Sequence, residues 1–264
     1  MTEIISSTTN PVIKLARSLR SKKNRDESKL FLVEGLLHVG EAFEANWLFE
    51  CLIYCPEKLK SDFGYQLINR GIKKDIRCVQ VPAQVMISIS EKENPQGIIA
   101  IVRQRSLSLE NVNDFTLMTG IVSPQDPGNF GTILRTMDAV KGNGVILIDG
   151  GVDPYHPSAV RASMGTIFWQ PFYSVNFTEF QNWAKKRNSR IIGTSAHGSV
   201  NYHSITYDGK PVILLLGSEQ KGLTPEQVEV CDELVFLPML GKVTSLNISV
   251  AAGIFLYEIN SHLN

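Results

Sequence analysis

The chain reads as an α/β protein in two parts. Short apolar runs rich in Val, Ile and Leu alternate with segments of helical apolar spacing along its length. The alternation is interrupted once, by a polar stretch at 103–113, and 264 residues with 43% hydrophobic content suffice for two cores of ordinary size. The expected division is a first domain over 1–106, a linker over 107–113 and a second domain over 114–264.

In the first part, Asn10-Pro11 predicts a helix start, a capping side chain followed by proline at the first helical position. Val12, Ile13, Leu15, Ala16 and Leu19 supply its apolar face and leave Lys14, Arg17 and Arg20 outward. Phe31-Leu-Val-Glu34 reads as a strand, and Leu36, Leu37, Val39, Ala42 and Phe43 as a helix. The pattern continues with strands at 52–55, 78–81 and 98–102 and helices around 65–69 and 85–89. Together they describe a small α/β sandwich.

The second part opens with a strand over Phe115–Thr119 and a turn-rich loop over 122–131. Ile133, Leu134, Met137, Ala139 and Val140 then form a helix that has Asn129 near its start and Arg135 on its body. Further strands are read at 144–148, 190–194, 212–216 and 235–237, with helices at 157–164 and around 180–184. The last helix is expected to begin at Thr244, Ser245 and Asn247, and to be covered on more than one side, because Val250 and Ile254 widen its apolar stripe. Gly217-Ser-Glu219-Gln-Lys-Gly222 follows a fully apolar strand, where glycines let a ligand meet bare backbone. It is not a nucleoside-triphosphate loop, since Leu223 stands where lysine is required.

Composition narrows the function classes. Lys plus Arg and Asp plus Glu both number 26, so net charge does not announce a nucleic-acid partner. Charge position says more: Lys14, Arg17, Arg20, Lys22, Lys23, Arg25 and Lys29 cluster with only Asp26 and Glu27 among them. Two readings fit, a solvated helix face or a phosphate-binding surface. The four cysteines lack zinc-site spacing and the five histidines form no ligand pair, so no metal is expected. No apolar run approaches membrane-spanning length and no signal pattern opens the chain, so a soluble, cytoplasmic protein without a membrane partner is expected.

Three stretches carry a resemblance. Asn129-x-Gly131-x-x-x-Arg135, then Gly217-x-Glu219-x-x-Gly222, then Pro238-Met239-x-Gly241 with Ser245-Leu-Asn247-x-Ser249-Val-Ala-Ala-Gly253 resemble, in order, the three signature motifs of the SpoU/TrmH RNA 2′-O-ribose methyltransferases of the SPOUT superfamily. The resemblance implies a parallel sheet with a deep trefoil knot, preceded by an L30e-like substrate-binding domain, to which Phe31-Leu-Val-Glu34-Gly35 is similar. S-adenosylmethionine (AdoMet) is the implied cofactor, wrapped by Thr194, Ser195 and Ala196, by Gly217 and Gly222, and by Leu237, Met239 and Leu246. Arg135, Asn129, Glu219, Ser245 and Asn247 are the implied catalytic set. For Arg135 the roles of base and of charge stabiliser both stand, and for Glu219 and Asn247 a structural role stands beside direct contact. Lys14, Arg17, Arg20, Lys22, Lys23 and Arg25 would bind RNA, ribosomal RNA being favoured over transfer RNA. The resemblance also implies a homodimer. A non-catalytic RNA-binding or ribosome-assembly protein that retains the fold is the alternative.

Overall fold

The computed structural model describes residues 3–263. Contacts divide the chain into two compact units, the first running to Arg105 and including Tyr155–Trp169, the second comprising Ser106–Pro154 and everything from Gln170. Among the described residues no helix is long and apolar enough to cross a membrane, and no group of His, Cys, Asp or Glu could hold a metal ion.

The first unit contains β1 (Glu3–Ile4), α1 (Pro11–Ser18), α2 (Lys22–Ser28), β2 (Leu30–Glu34), α3 (Leu36–Glu44), β3 (Phe49–Tyr54), α4 (Asp62–Lys73), β4 (Cys78–Gln80), α5 (Ala83–Ile89) and β5 (Ile98–Arg103). Its five-stranded sheet is ordered β1-β4-β3-β5-β2 and is mixed, β5 running antiparallel to both neighbours. Asn10 caps α1 as expected, accepting from the Val12 N–H at 2.9 Å. Val12, Ile13, Ala16 and Leu19 are buried in a core shared with β3, β4 and α5. The separate segment Tyr155–Trp169 closes the unit's other face. Trp47 donates its indole N–H to the Phe168 carbonyl at 2.8 Å, and the ring of Phe31 lies 4.6 Å from that of Tyr155.

The second unit begins with β6 (Leu117–Val122), α6 (Pro127–Ala139) and β7 (Val145–Ile148); α7 (Pro157–Ala162) follows in the chain but packs with the first unit. It continues with β8 (Phe172–Val175), α8 (Phe177–Lys186), β9 (Arg190–Thr194), β10 (Val200–Asn201), β11 (Val212–Leu216), α9 (Pro225–Glu229), β12 (Glu233–Phe236) and α10 (Ile248–Leu263). Seven strands ordered β10-β12-β9-β11-β6-β7-β8 form a sheet in which every pairing is parallel. Buried on both faces, such strands read as continuous apolar runs, and β11 is fully buried over Val-Ile-Leu-Leu-Leu.

Four expectations change. The strand expected at Phe115–Thr119 spans Leu117–Val122, because the Asn143 side chain accepts from the Thr116 and Leu117 N–H groups at 2.9 and 3.2 Å, and Phe115 instead stacks on Trp183. The final helix begins at Ile248: Asn247 is its cap, accepting from the Ser249 N–H at 2.9 Å, while Thr244 and Ser245 lie before it. That helix is covered by α6, β11 and the 3-10 turn at Tyr202–Ser204, while Val250, Ile254 and Tyr257 on its remaining side are exposed. Finally, the polar stretch read as a linker is not free throughout, since Leu109, at the start of a single 3-10 turn, is buried in the second core.

Candidate active site

Strands β12, β9, β11 and β6 are consecutive neighbours and point the same way, so the segments leaving their carboxyl ends emerge along one edge of the sheet. Such an edge is where open parallel sheets bind ligands. Thr194, Ser195 and Ala196 follow β9; Gly217 to Gly222 follow β11; Leu237, Met239 and Leu246 lie on the segment after β12; Asn129 and Arg135 stand on α6, after β6.

Local chemistry shapes each piece. Asp126 caps α6 with Pro127 at the first helical position, and its carboxylate accepts from the Asn129 N–H at 2.9 Å. The β11 loop closes on itself, Ser218 and Gly222 exchanging backbone hydrogen bonds at 3.0 and 2.9 Å, which presents Glu219 at an exposed tip. Gly217 is required there: a Cβ would lie 2.4 Å from the Gly222 carbonyl carbon and 2.5 Å from the Leu223 nitrogen.

Side chains from the three stretches then meet. Asn247 donates through Nδ2 to Asn129 Oδ1 at 3.0 Å, and Asn129 donates through its own Nδ2 to Glu219 Oε1 at 2.6 Å. Behind them, Ser249 Oγ donates to Asn247 Oδ1 at 2.6 Å. Residues 90 and 118 positions apart thus form one hydrogen-bonded row. Arg135 is exposed on α6 and has no partner among the described residues, so its guanidinium is available to an anion. Ser245 is likewise exposed and makes no hydrogen bond among the described residues. The Thr194 hydroxyl turns back to the Leu215 carbonyl at 3.3 Å, and the Ser195 N–H donates to the Val235 carbonyl at 3.0 Å, so both hold the strand ends together. The arrangement can orient a polar substrate and stabilise negative charge. Burial pushes the thiols of Cys51 and Cys231 up to about 12, which removes them as nucleophiles near neutrality.

Asp126 and Ser249 were not singled out from the sequence. Asp126-Pro127 carries a cap-plus-proline signal that could have located the first. For Ser249 the signal is its place in the third motif, two residues after Asn247, to which no role was attached.

The basic cluster of the first unit divides. Arg25, expected at an RNA surface, is 1% exposed. Its Nη1 donates to the Leu19 and Arg20 carbonyls at 2.6 and 2.9 Å, satisfying groups that the end of α1 leaves open. Arg17 and Arg20 reach the C-terminal end of α5, to Ser88 Oγ at 3.1 Å and the Ser90 carbonyl at 2.6 Å, and remain exposed. Lys14, Lys22 and Lys23 face solvent.

Two family models match, one described as the SpoU rRNA Methylase family over residues 117–257 and the other as an MRM3-like substrate binding domain over 10–100. The chain is 28% identical over 256 residues to the 23S rRNA (guanosine(2553)-2′-O)-methyltransferase RlmP of Bacillus subtilis, covering 97% of this chain and 98% of that protein. It is 29% identical to a 23S rRNA (uridine(2479)-2′-O)-methyltransferase of Streptomyces viridochromogenes, covering 91% and 85%. The crystal structure of an AdoMet-bound rRNA methyltransferase from Sinorhizobium meliloti superposes with a TM-score of 0.91 at 34% identity, covering 100% of this chain and 99% of that one. With the first model spanning more than half of the sequence and taking in every side chain of the hydrogen-bonded row, the chain belongs to the SpoU rRNA methylase family.

Proposed function

We propose that the protein transfers a methyl group from AdoMet to a ribose 2′-hydroxyl of ribosomal RNA. One observation carries the reading: the Asn247–Asn129–Glu219 row joins the three signature stretches at the sheet edge where a ligand binds, with an unpaired arginine on one of the participating helices. The rRNA substrates named for RlmP and for the Streptomyces enzyme support the substrate class.

The cofactor fits the residues present. Gly217 lets the loop after β11 fold back tightly on Gly222 and Leu223, and the segment after β12 carries the apolar Leu237, Met239 and Leu246, which would enclose a heterocycle. Backbone groups around Gly217, Leu237 and Leu246 would read the adenine and ribose. When bound, AdoMet supplies a methyl group already activated on a positive sulfur.

The demanding partner is the 2′-hydroxyl, a weak nucleophile that must be aligned and relieved of its proton. Arginine keeps its own proton, so Arg135 binds the neighbouring phosphate and stabilises developing alkoxide charge, with a phosphate oxygen as proton acceptor. Asn129 orients the ribose, Glu219 holds the loop after β11 against it, and Ser245 and Asn247 hold the RNA backbone. The first unit grips the RNA, with Lys14, Arg17, Arg20, Lys22 and Lys23 on its basic face. The segment from β12 to α10 threads as a trefoil knot. Two copies pack through the exposed Val250, Ile254 and Tyr257 side of α10, and the enzyme works in the cytoplasm.

The test incubates the protein and labelled AdoMet separately with unmodified rRNA and tRNA and identifies labelled nucleosides by mass spectrometry. Label on a ribose 2′-oxygen of rRNA, lost with Arg135→Ala, is the expected result. Label on a base, or on tRNA alone, overturns the assignment. Binding of neither AdoMet nor label points to a non-catalytic RNA-binding protein.

A further inference from the structure

We infer that Ser249, at the second position of α10, is a positioning residue that sets the polarity of the amide row and thereby the side of Asn129 offered to substrate; this rests on the function proposed above. The row is constrained at both ends. At one end the Ser249 N–H, which can only donate, lies 2.9 Å from Asn247 and requires its oxygen to turn that way; the Ser249 hydroxyl donates to the same oxygen at 2.6 Å. Its Nδ2 then faces Asn129 at 3.0 Å and can only donate, which fixes Asn129 Oδ1 as the acceptor. At the other end Glu219, as a carboxylate, can only accept, and it takes the Asn129 Nδ2 at 2.6 Å.

A flip of either amide would oppose donor to donor and acceptor to acceptor along the row. The Ser249 N–H forbids it at Asn247, and the Ser249 hydroxyl, by donating to the same oxygen, strengthens the allowed orientation. The remaining capacity of Asn129, one Nδ2 hydrogen and one Oδ1 lone pair, is therefore presented in a single orientation. An exposed asparagine free to rotate would offer a ribose hydroxyl either end, and only one of them suits a group about to lose its proton. Because a rigid row costs no reorganisation when charge develops, the consequence falls on turnover.

Ser249→Ala removes the 2.6 Å contact but keeps the backbone N–H and the helix cap. Under single-turnover conditions the expected result is a fall in the rate of methyl transfer of roughly five- to tenfold, with AdoMet and RNA affinities within about twofold of the parent, as for the loss of one hydrogen bond acting on turnover. Ser249→Thr, which keeps the hydroxyl, restores the rate. In an Asn129→Ala background the Ser249→Ala change costs nothing further, because the row is already broken. An unchanged rate, a loss seen only in RNA affinity, or a loss that adds in full to that of Asn129→Ala overturns the inference. Side-chain amide NMR reads the row without activity: the Asn129 and Asn247 NH2 signals should shift in Ser249→Ala and return in Ser249→Thr, and signals that do not respond also overturn it. If they respond while the parent protein transfers no methyl group to any RNA, the row stands and the proposed function falls.

Discussion

The two units spend their polar side chains differently. In the first, the arginines that the sequence displays most prominently are drawn onto backbone carbonyls: Arg25 is buried against the end of α1, and Arg20 reaches the end of α5. In the second, α6 and α10 are capped by their own preceding residues, Asp126 and Asn247, and the functional side chains are left to one another or to solvent. Helix ends demand partners. An N-terminal end needs an acceptor, and a short oxygen-bearing side chain supplies it at α1, α6 and α10 alike; a C-terminal end needs a donor, and in the first unit arginines are consumed there. Whether a charged residue is a site or a strut is thus decided by the nearest unpaired backbone group.

The contrast can be broken by experiment, starting with its strongest claim. Arg135→Ala should lower methyl transfer by about 100-fold or more while leaving the melting temperature unchanged, since the side chain is exposed and unpaired; a matching loss of stability would make it a strut. Arg25→Met is the inverse case, expected to cost about 3 kcal/mol in urea unfolding by stranding two carbonyls, with no selective loss of RNA affinity in the folded fraction. Gly217→Ala should weaken AdoMet binding about tenfold by calorimetry, roughly 1.4 kcal/mol, because its Cβ forces the loop after β11 apart. Replacing Lys14, Lys22 and Lys23 together by Gln should flatten the salt dependence of RNA binding by up to about three units of slope and leave folding intact.

The smallest effect belongs to His38 in α3. Burial, and next the Lys92 ammonium, hold its imidazole below the ordinary 6.5. The unfolded chain therefore takes up a proton before the folded one does as pH falls. Stability attributable to this group is complete above about 6.5 and declines as pH drops from there toward the lowered value. His38→Leu should flatten that part of the Tm-against-pH curve; an unaltered slope would assign the acid sensitivity elsewhere.

How much of this was legible depended on how locally it was encoded. The central strands of the parallel sheet announced themselves as apolar runs, and α1 through its cap and proline. β1 and β10, two residues each, are too short to carry a period, and β8 lies at the sheet edge with a half-buried pattern that resembles a loop. α2, Lys-Lys-Asn-Arg-Asp-Glu-Ser, has no apolar face, and its one buried side chain is a charged one. At the site, the family motifs named Asn129, Glu219 and Asn247, but their union crosses 90 and 118 positions of sequence, and no local pattern encodes which amide face meets which.

The excursion of Tyr155–Trp169 into the first unit has a consequence for how the protein is made. The first unit is not finished when residue 105 leaves the ribosome: the Tyr155 hydroxyl that engages the Arg105 backbone and the Phe168 carbonyl that receives the Trp47 indole are synthesised some fifty to sixty residues later, after β6, α6 and β7. Translation therefore cannot complete the two units one after the other, as it does for beads on a string. A fragment ended at residue 106 would lack the cover of Phe31 and Trp47, and gene fusions that exchange one unit between relatives would have to carry this fifteen-residue segment with the first.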